Sequence, residues 1–119
     1  MNTLKRAALA AAIMSLTPMA FACDYPSKAD IPNGATASKD EMLAGQRSVK
    51  EYMARMEAYL ACIDQEEKDS VAAIDEQSDE EETNREAAFN KKYNAAVEEM
   101  ELVAARFNEE VRAYKAQGQ

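Results

Sequence analysis

The residues of this chain best suited to chemistry are its two cysteines, Cys23 and Cys62. Three roles are open for Cys23: the acylated first residue of a lipoprotein, one half of a disulfide, or an incidental thiol behind a signal-peptide cut. Two cysteines in an oxidising compartment usually pair, and without a third cysteine only one intramolecular pairing exists. A lipoprotein acceptor requires a bulky aliphatic residue three positions earlier, where this chain has Ala20, and acylation would leave Cys62 as a free thiol. The sequence therefore predicts a Cys23–Cys62 disulfide and disfavours a lipoprotein.

Carboxylates are the other abundant reactive groups, with 22 Asp and Glu against 14 Lys and Arg and no His. Without His the chain lacks the commonest general base and metal ligand. Paired carboxylates catalyse reactions only where a pocket perturbs their pKa, and no phosphate loop, GxSxG elbow or CxxC motif occurs. Four methionines fall on predicted helix seams, where Met fills gaps rather than binding Cu(I). We expect no enzyme activity, no cofactor and no metal site.

Negative charge is concentrated in one segment. Residues 64–86 contain eleven acids against Lys68 and Arg85. Such charge can serve only solubility and the start of a helix, or it can bind a basic partner. Cation binding would be weak, because the segment lacks the glycine and ligand spacing of an EF-hand. We define the candidate acidic tip as the six carboxylates Asp75, Glu76, Asp79, Glu80, Glu81 and Glu82.

The first 22 residues have the pattern of a secretory signal peptide. Lys5 and Arg6 precede an apolar run over 7–16, and a small-x-small ending predicts cleavage after Ala22. The apolar run is too short to span a bilayer, so we expect no transmembrane segment and a location in the periplasm or outside the cell. Loss of the two cations takes the net charge from -8 to -10. Nucleic acid and anionic membranes, which need a basic surface, are not expected partners.

Two capping boxes predict where helices begin. Ser38 with Glu41, and Ser78 with Glu81, have the Ser-x-x-Glu spacing in which each residue caps the other's backbone N–H. Thr83 offers a competing start for the second helix. Since Gly and Pro are absent from 46–117, we predict helices over about 39–76 and 79–116.

Apolar residues at alternating spacings of three and four form a seam on each predicted helix. The first seam is Met42, Gln46, Val49, Met53, Met56, Leu60, Ile63 and Glu67. The second is Phe89, Tyr93, Ala96, Met100, Val103, Phe107, Glu110 and Tyr114. A turn centred on Ser78 places Val49 opposite Phe107 and Glu67 opposite Phe89. The same register places Gln46 opposite Glu110. The predicted fold is all-α: a long antiparallel two-helix hairpin (39–117), coiled-coil-like, with an extended N-terminal arm (23–38) tied back by the disulfide.

The arm is long enough for this role. The 15 steps from Cys23 to Ser38 reach about 50 Å when extended, and Cys62 lies roughly 35 Å along the first helix. Tyr52 and Tyr59 lie beside the seam on the flank that carries Cys62. We expect the arm to pack on that flank.

The stretches "CDYPSKADIPNGATASKDEM" and "VKEYMARMEAYLACI" also resemble a group of small exported proteobacterial helical proteins of unknown function. The shared features are a Cys-x-x-Pro start, a Pro-x-Gly turn, an Ala-Thr/Ser helix cap and a Tyr-Leu-x-Cys block. The resemblance covers about 23–67 and fades across the second helix. It implies the same disulfide and an α-helical envelope protein, and it brings no catalytic residue.

The second helix has more apolar surface than one partner helix can cover, because Val97, Ala104 and Val111 widen its apolar face. The arm, a second copy in a homodimeric four-helix bundle, or a client protein would cover this candidate interaction face. We expect a non-catalytic protein-binding module of the bacterial envelope whose partner is an envelope or secreted protein. A holdase-type chaperone and an inhibitor of a basic secreted enzyme are the alternatives.

Overall fold

The computed structural model describes residues 22–118, which form two helices, α1 (Lys39–Ala72) and α2 (Asp79–Ala116). No strand occurs within these residues. The predicted signal peptide lies outside them except for its last residue, Ala22. Residues 22–38 are extended apart from a turn over 34–36.

Both predicted capping boxes are present. The Ser38 hydroxyl accepts the Glu41 N–H at 3.2 Å, and the Glu41 carboxylate accepts the Ser38 N–H at 2.6 Å. Ser78 and Glu81 repeat the arrangement at 3.2 and 2.9 Å. The competing start at Thr83 is not used, because its hydroxyl donates to the Asp79 carbonyl inside α2. Each box therefore fixes the first turn of its helix.

The predicted end of the first helix at residue 76 is wrong, because α1 ends at Ala72. Its last turn contains no basic residue, and Asp69, Asp75 and Glu76 bring negative charge to the negative end of the helix dipole. The missing turn becomes part of the connection 73–78, in which Ile74 is exposed.

The helices form the predicted antiparallel hairpin, but their register differs by about one turn. Glu67 pairs with Arg85 rather than lying opposite Phe89. The Phe107 ring lies against Gly45 rather than being centred on Val49. The early end of α1 explains the shift, because it moves the centre of the turn from Ser78 to about residue 76.

The buried stripe of α1 is also rotated from the predicted seam. Tyr52 and Tyr59 are buried, whereas Gln46 is exposed and Met53 only half-buried. The rotation has its cause in the arm. α2 covers the seam of α1, and the arm covers the flank beside the seam, so the buried stripe shifts towards that flank. The buried residues of α1 are Met42, Gly45, Val49, Tyr52, Met56, Tyr59 and Ile63.

The arm runs antiparallel to α1 along this flank. The predicted disulfide joins Cys23 to Cys62, with their Cα atoms 5.8 Å apart. The Tyr25 ring meets Tyr59 edge-on at 5.0 Å between centroids. Further along, the Asp30 N–H donates to the Ser48 hydroxyl at 2.8 Å. The predicted fold class, a hairpin with an arm tied back by a disulfide, is confirmed.

Candidate interaction surfaces

The two helices leave a groove on each side of their contact, and the arm occupies one of them. Residues 28–31 of the arm lie beside Glu99, Leu102, Val103 and Arg106 of α2. We call this side the closed groove. Cys23, Ala29 and Ile31 join the hydrophobic core from this side.

Two glycines allow the arm to approach the helix backbones closely. A Cβ on Gly34 would overlap the backbone carbonyl of Glu110, and a Cβ on Gly45 would overlap the Pro32 ring. Both glycines are buried. The contacts are backbone against backbone at Gly34 and backbone against a proline ring at Gly45, so a larger residue at either position would push the arm away.

Side chains of α2 and its C-cap hold the arm's turn in place. The Glu110 carboxylate, predicted to lie opposite Gln46, instead accepts the Gly34 N–H at 2.6 Å. The Gln117 amide donates to the carbonyl oxygens of Gly34 and Ala37. These contacts supply backbone partners that a non-helical segment needs when it packs against a core.

Two tyrosines lie near the disulfide end of the closed groove. Burial raises the pKa of Tyr52, with smaller contributions from Tyr25 and Glu99. Burial also raises the pKa of Tyr25, followed by the Glu99 charge, although about half of its side chain is exposed. Both hydroxyls therefore stay protonated at neutral pH, and the pair serves as packing.

The opposite side of the hairpin is the open groove, which the arm does not reach. Near the helix ends it is a depression of about 310 Å³ with Lys39 and Lys115 at its rim. Nearer the connection a second depression, of about 610 Å³, lies on the same side with Glu57 and Asp64 at its rim. The other lining residues of the open groove are Met42, Leu43, Gln46, Phe107, Val111, Tyr114, Leu60, Ala61, Phe89, Asn90 and Tyr93.

The predicted apolar face lies on the open side. Val111 lines the open groove, and Val97 and Ala104 follow it at seven-residue intervals on the same stripe of α2. All three are half-buried rather than exposed. Leu43 and Tyr93 are more exposed, at 42% and 36%. The sequence prediction omitted Leu43 from this face because it considered only the surplus apolar surface of α2.

The six residues of the acidic tip are all exposed. Asp75 and Glu76 lie in the connection, and the other four form the first turn of α2. Hydrogen bonding to the Ser78 backbone lowers the pKa of Glu81, whose carboxylate is therefore occupied in the cap. The remaining five carboxylates are free of this capping role.

The two cations near the tip bind acids of α1. Lys68 contacts Asp64 at 2.7 Å, which raises the Lys68 pKa, and Arg85 pairs with Glu67. Among residues 22–118, no three His, Cys, Asp or Glu side chains are grouped closely enough to hold a metal ion. The salt bridges of the described chain thus leave the tip carboxylates uncompensated.

Neither α1 nor α2 is long and apolar enough to cross a membrane. A scan against protein-family models found no match, and searches of curated proteins and of solved structures likewise matched nothing.

Proposed function

We propose that the chain is an exported, non-catalytic helical protein that binds other protein chains in the bacterial envelope. The observation that carries this proposal is the contrast between the two grooves: the arm packs along one, where Leu102 stays exposed at its outer edge, and no described segment of the chain covers the other. Leu43 remains accessible there beside half-buried Val111, and Tyr93 remains accessible in the second depression nearer the connection. Two apolar depressions in line between two helices suit the apolar face of a further helix.

Export is supported by two observations. The N-terminal pattern is that of a cleaved signal peptide, and a disulfide is stable in the periplasm or outside the cell. Because the Cys23 sulfur is bonded to Cys62, it is not free to carry a lipid thioether. These observations favour a periplasmic or secreted protein over a lipoprotein.

The acidic tip is the second surface of the module. Exposed like charges raise the rate of encounter with an oppositely charged protein and make binding sensitive to salt. The tip therefore selects a basic partner, while the open groove offers a separate apolar contact surface. The two surfaces lie at different places on the hairpin, so each can bind a partner of its own.

Two alternative functions are each favoured by one surface. A holdase-type chaperone would use the open groove to shield unfolded envelope proteins, and its binding would tolerate many sequences. An inhibitor of a basic secreted enzyme would use the acidic tip and bind one protein in a salt-sensitive, one-to-one complex.

Photo-cross-linking in living cells tests these functions. We would place a photoreactive residue at Ala104 in the open groove and at Glu80 in the acidic tip. Ala105, exposed on the next position of α2, is the matched control for the groove, and exposed Glu109 is the control for the tip. Adducts would be identified by mass spectrometry after purification of the full exported chain.

We expect protein adducts at Ala104 and Glu80 that are absent at Ala105 and Glu109. One dominant adduct would establish a specific binding module. Many unrelated adducts at Ala104 would favour the chaperone, and one basic enzyme captured only at Glu80 would favour the inhibitor. Equal labelling of test and control positions would contradict all three functions.

A further inference from the structure

We propose that the occupant of the open groove is a second copy of this chain, stacked groove to groove in the antiparallel direction. This inference rests on the proposed function in one respect, that the open groove is a protein-binding surface. It goes further in naming the partner and the orientation.

The charges at the rim of the open groove divide by position. Lys39 and Lys115 lie at the end near the helix termini, whereas Glu57 and Asp64 lie at the end near the connection. In an antiparallel pair the basic end of each copy faces the acidic end of the other. A parallel pair would place like charges together, which is unfavourable. The charge pattern therefore favours one orientation.

Asp64 already contacts Lys68 along α1. Both side chains are about half exposed or more, at 48% and 66%. An exposed pair at this spacing is weak, because solvent screens both charges. A carboxylate also has two oxygens, so Asp64 can accept a second cation from the facing copy.

The apolar residues of the open groove are also spaced so that an antiparallel pair brings them together. Leu43 and Leu60 are equidistant from a point between positions 51 and 52 of α1, and Tyr93 and Val111 are equidistant from position 102 of α2. The contact of Gly45 with Phe107 shows that these two midpoints lie at nearly the same level of the hairpin.

One two-fold axis at this level therefore serves both helices. It places Leu43 of one copy over Leu60 of the other, and Val111 over Tyr93. It also brings Lys39 opposite Asp64. A surface that complements itself under a single two-fold rotation has the property required of a symmetric dimer interface.

The size of the surface is also adequate. The grooved stretch of α1 from Lys39 to Asp64 is about 39 Å long at 1.5 Å per residue, and two helices side by side are about 20 Å wide. Their product, the whole face of the hairpin over this stretch, is roughly 800 Å² per copy, so contact along the full face provides the area of a standard interface. The resulting four-helix bundle carries its two acidic tips at opposite ends, each free for a basic partner.

Charge reversal on the full exported chain tests the dimer. One variant combines Glu57→Lys with Asp64→Lys, which makes the whole rim basic. The other combines Lys39→Glu with Lys115→Glu, which makes it acidic. The control, Glu98→Lys with Glu109→Lys, changes exposed residues of α2 outside the groove lining. Mass would be measured by light scattering and sedimentation, and folding by circular dichroism.

We expect the wild-type chain and the control to be dimers. Each reversal variant alone should bind itself at least tenfold more weakly, since residues 39 and 64 then carry like charges where they face each other at both ends of the dimer. An equimolar mixture of the two variants should recover a heterodimer, because the basic rim then faces the acidic rim at both ends. This recovery cannot come from misfolding, which would weaken the mixture as well.

Three results would overturn the dimer: a monomeric wild-type chain, reversal variants that dimerise as the wild type does, or a mixture that stays monomeric. The cross-linking experiment separates this failure from failure of the proposed function. Adducts of Ala104 with the same chain support the dimer. A different protein captured at Ala104, together with a monomeric wild-type mass, would contradict the dimer and support the binding module.

Discussion

The half of the hairpin that the arm clamps differs from the half that it does not reach. The clamped half comprises 23–63 with 96–117, and the tip half comprises 64–95. Every fully buried residue belongs to the clamped half, whereas none of residues 64–95, all of which the structure describes, is fully buried. The tip half is held by the Glu67–Arg85 pair and by half-buried Phe89, which packs beside Tyr93.

The difference shows that two helices do not by themselves make a core in this protein. A pair of helices buries one narrow stripe on each, and small domains have little other apolar area to bury. The arm adds a third segment, which converts Tyr52 and Tyr59 from flank residues into core residues that are 1% and 7% exposed. Stability should therefore be concentrated in the clamped half.

Removal of the disulfide should produce the largest effect on this contrast. Cys23→Ser should lower the free energy of unfolding by about 3–4 kcal/mol, because the bond closes a long loop in the unfolded chain. Chemical denaturation of the oxidised wild type and of the variant measures the change. Cys62→Ser and the double variant are controls that should lose the same amount.

Hydrogen exchange on the same variants tests the location of the effect. Amides of α1 near Tyr52 should exchange faster without the disulfide, while amides near Ser78 should change little. Equal acceleration in both halves would contradict the view that the arm stabilises only the clamped half.

A substitution that blocks the close approach of the arm should have the next largest effect on stability. Gly34→Ala should destabilise the protein by about 1–3 kcal/mol, because the added Cβ overlaps the Glu110 backbone, which cannot move as a side-chain end can. Gly118→Ala is the matched control, since nothing lies within 4 Å of its added Cβ. Thermal unfolding of both variants provides the measurement. Equal unfolding temperatures would show that the arm does not pack this closely.

The effect of Gly45→Ala on the free energy of unfolding should change sign when the arm is released. In the wild type the added Cβ overlaps the Pro32 ring and should destabilise the fold. In the variant without both cysteines the arm can move away, and the gain of up to about 1 kcal/mol in helix propensity should dominate. A double-mutant cycle by denaturation measures this difference. Additive effects would contradict contact between Pro32 and Gly45.

The two capping serines provide a smaller and matched comparison. Ser38→Ala and Ser78→Ala each remove the same hydrogen bond, at a typical loss of about 1 kcal/mol. Ser38 caps the clamped half, so its loss should appear in global unfolding. Ser78 caps the tip half, where we expect faster local hydrogen exchange and a smaller change in the unfolding midpoint. Identical shifts in global unfolding would contradict a division into two halves.

The pH dependence of the two capping boxes is the smallest predicted effect. Hydrogen bonds from the backbone N–H groups of Ser38 and Ser78 lower the pKa of Glu41 and Glu81 below the ordinary value of 4.5. A carboxylate with a lowered folded pKa stabilises the fold above the unfolded pKa, and this contribution is lost as the pH falls from about 4.5 through the folded pKa. Side-chain NMR titration should show both shifts. Ser78→Ala removes the hydroxyl that also donates to the Glu81 carboxylate but keeps the backbone N–H, so it should raise the Glu81 pKa only part of the way to 4.5 and leave that of Glu41 unchanged. An unmoved Glu81 pKa would contradict the contribution of the hydroxyl, and a full return to 4.5 would contradict that of the backbone.

The sequence alone determined the features that depend on local chemistry. The capping boxes, the helix formers between them and the absence of Gly and Pro from 46–117 specified two helices and their starts. Cysteine count and the reach of the arm specified the disulfide. Such signals act between near neighbours or through chain length, so no knowledge of packing was needed to find them.

Only the tertiary structure decided how these elements meet. The early end of α1 moved the register by a turn, the arm rotated the buried stripe to Tyr52 and Tyr59, and Glu110 bound the arm instead of Gln46. The position of Cys62 predicted the flank on which the arm lies, but only the structure showed that Leu43 and Val111 stay uncovered on the other side. The apolar seam could not show this, because periodicity records which residues are apolar and not which neighbour covers them.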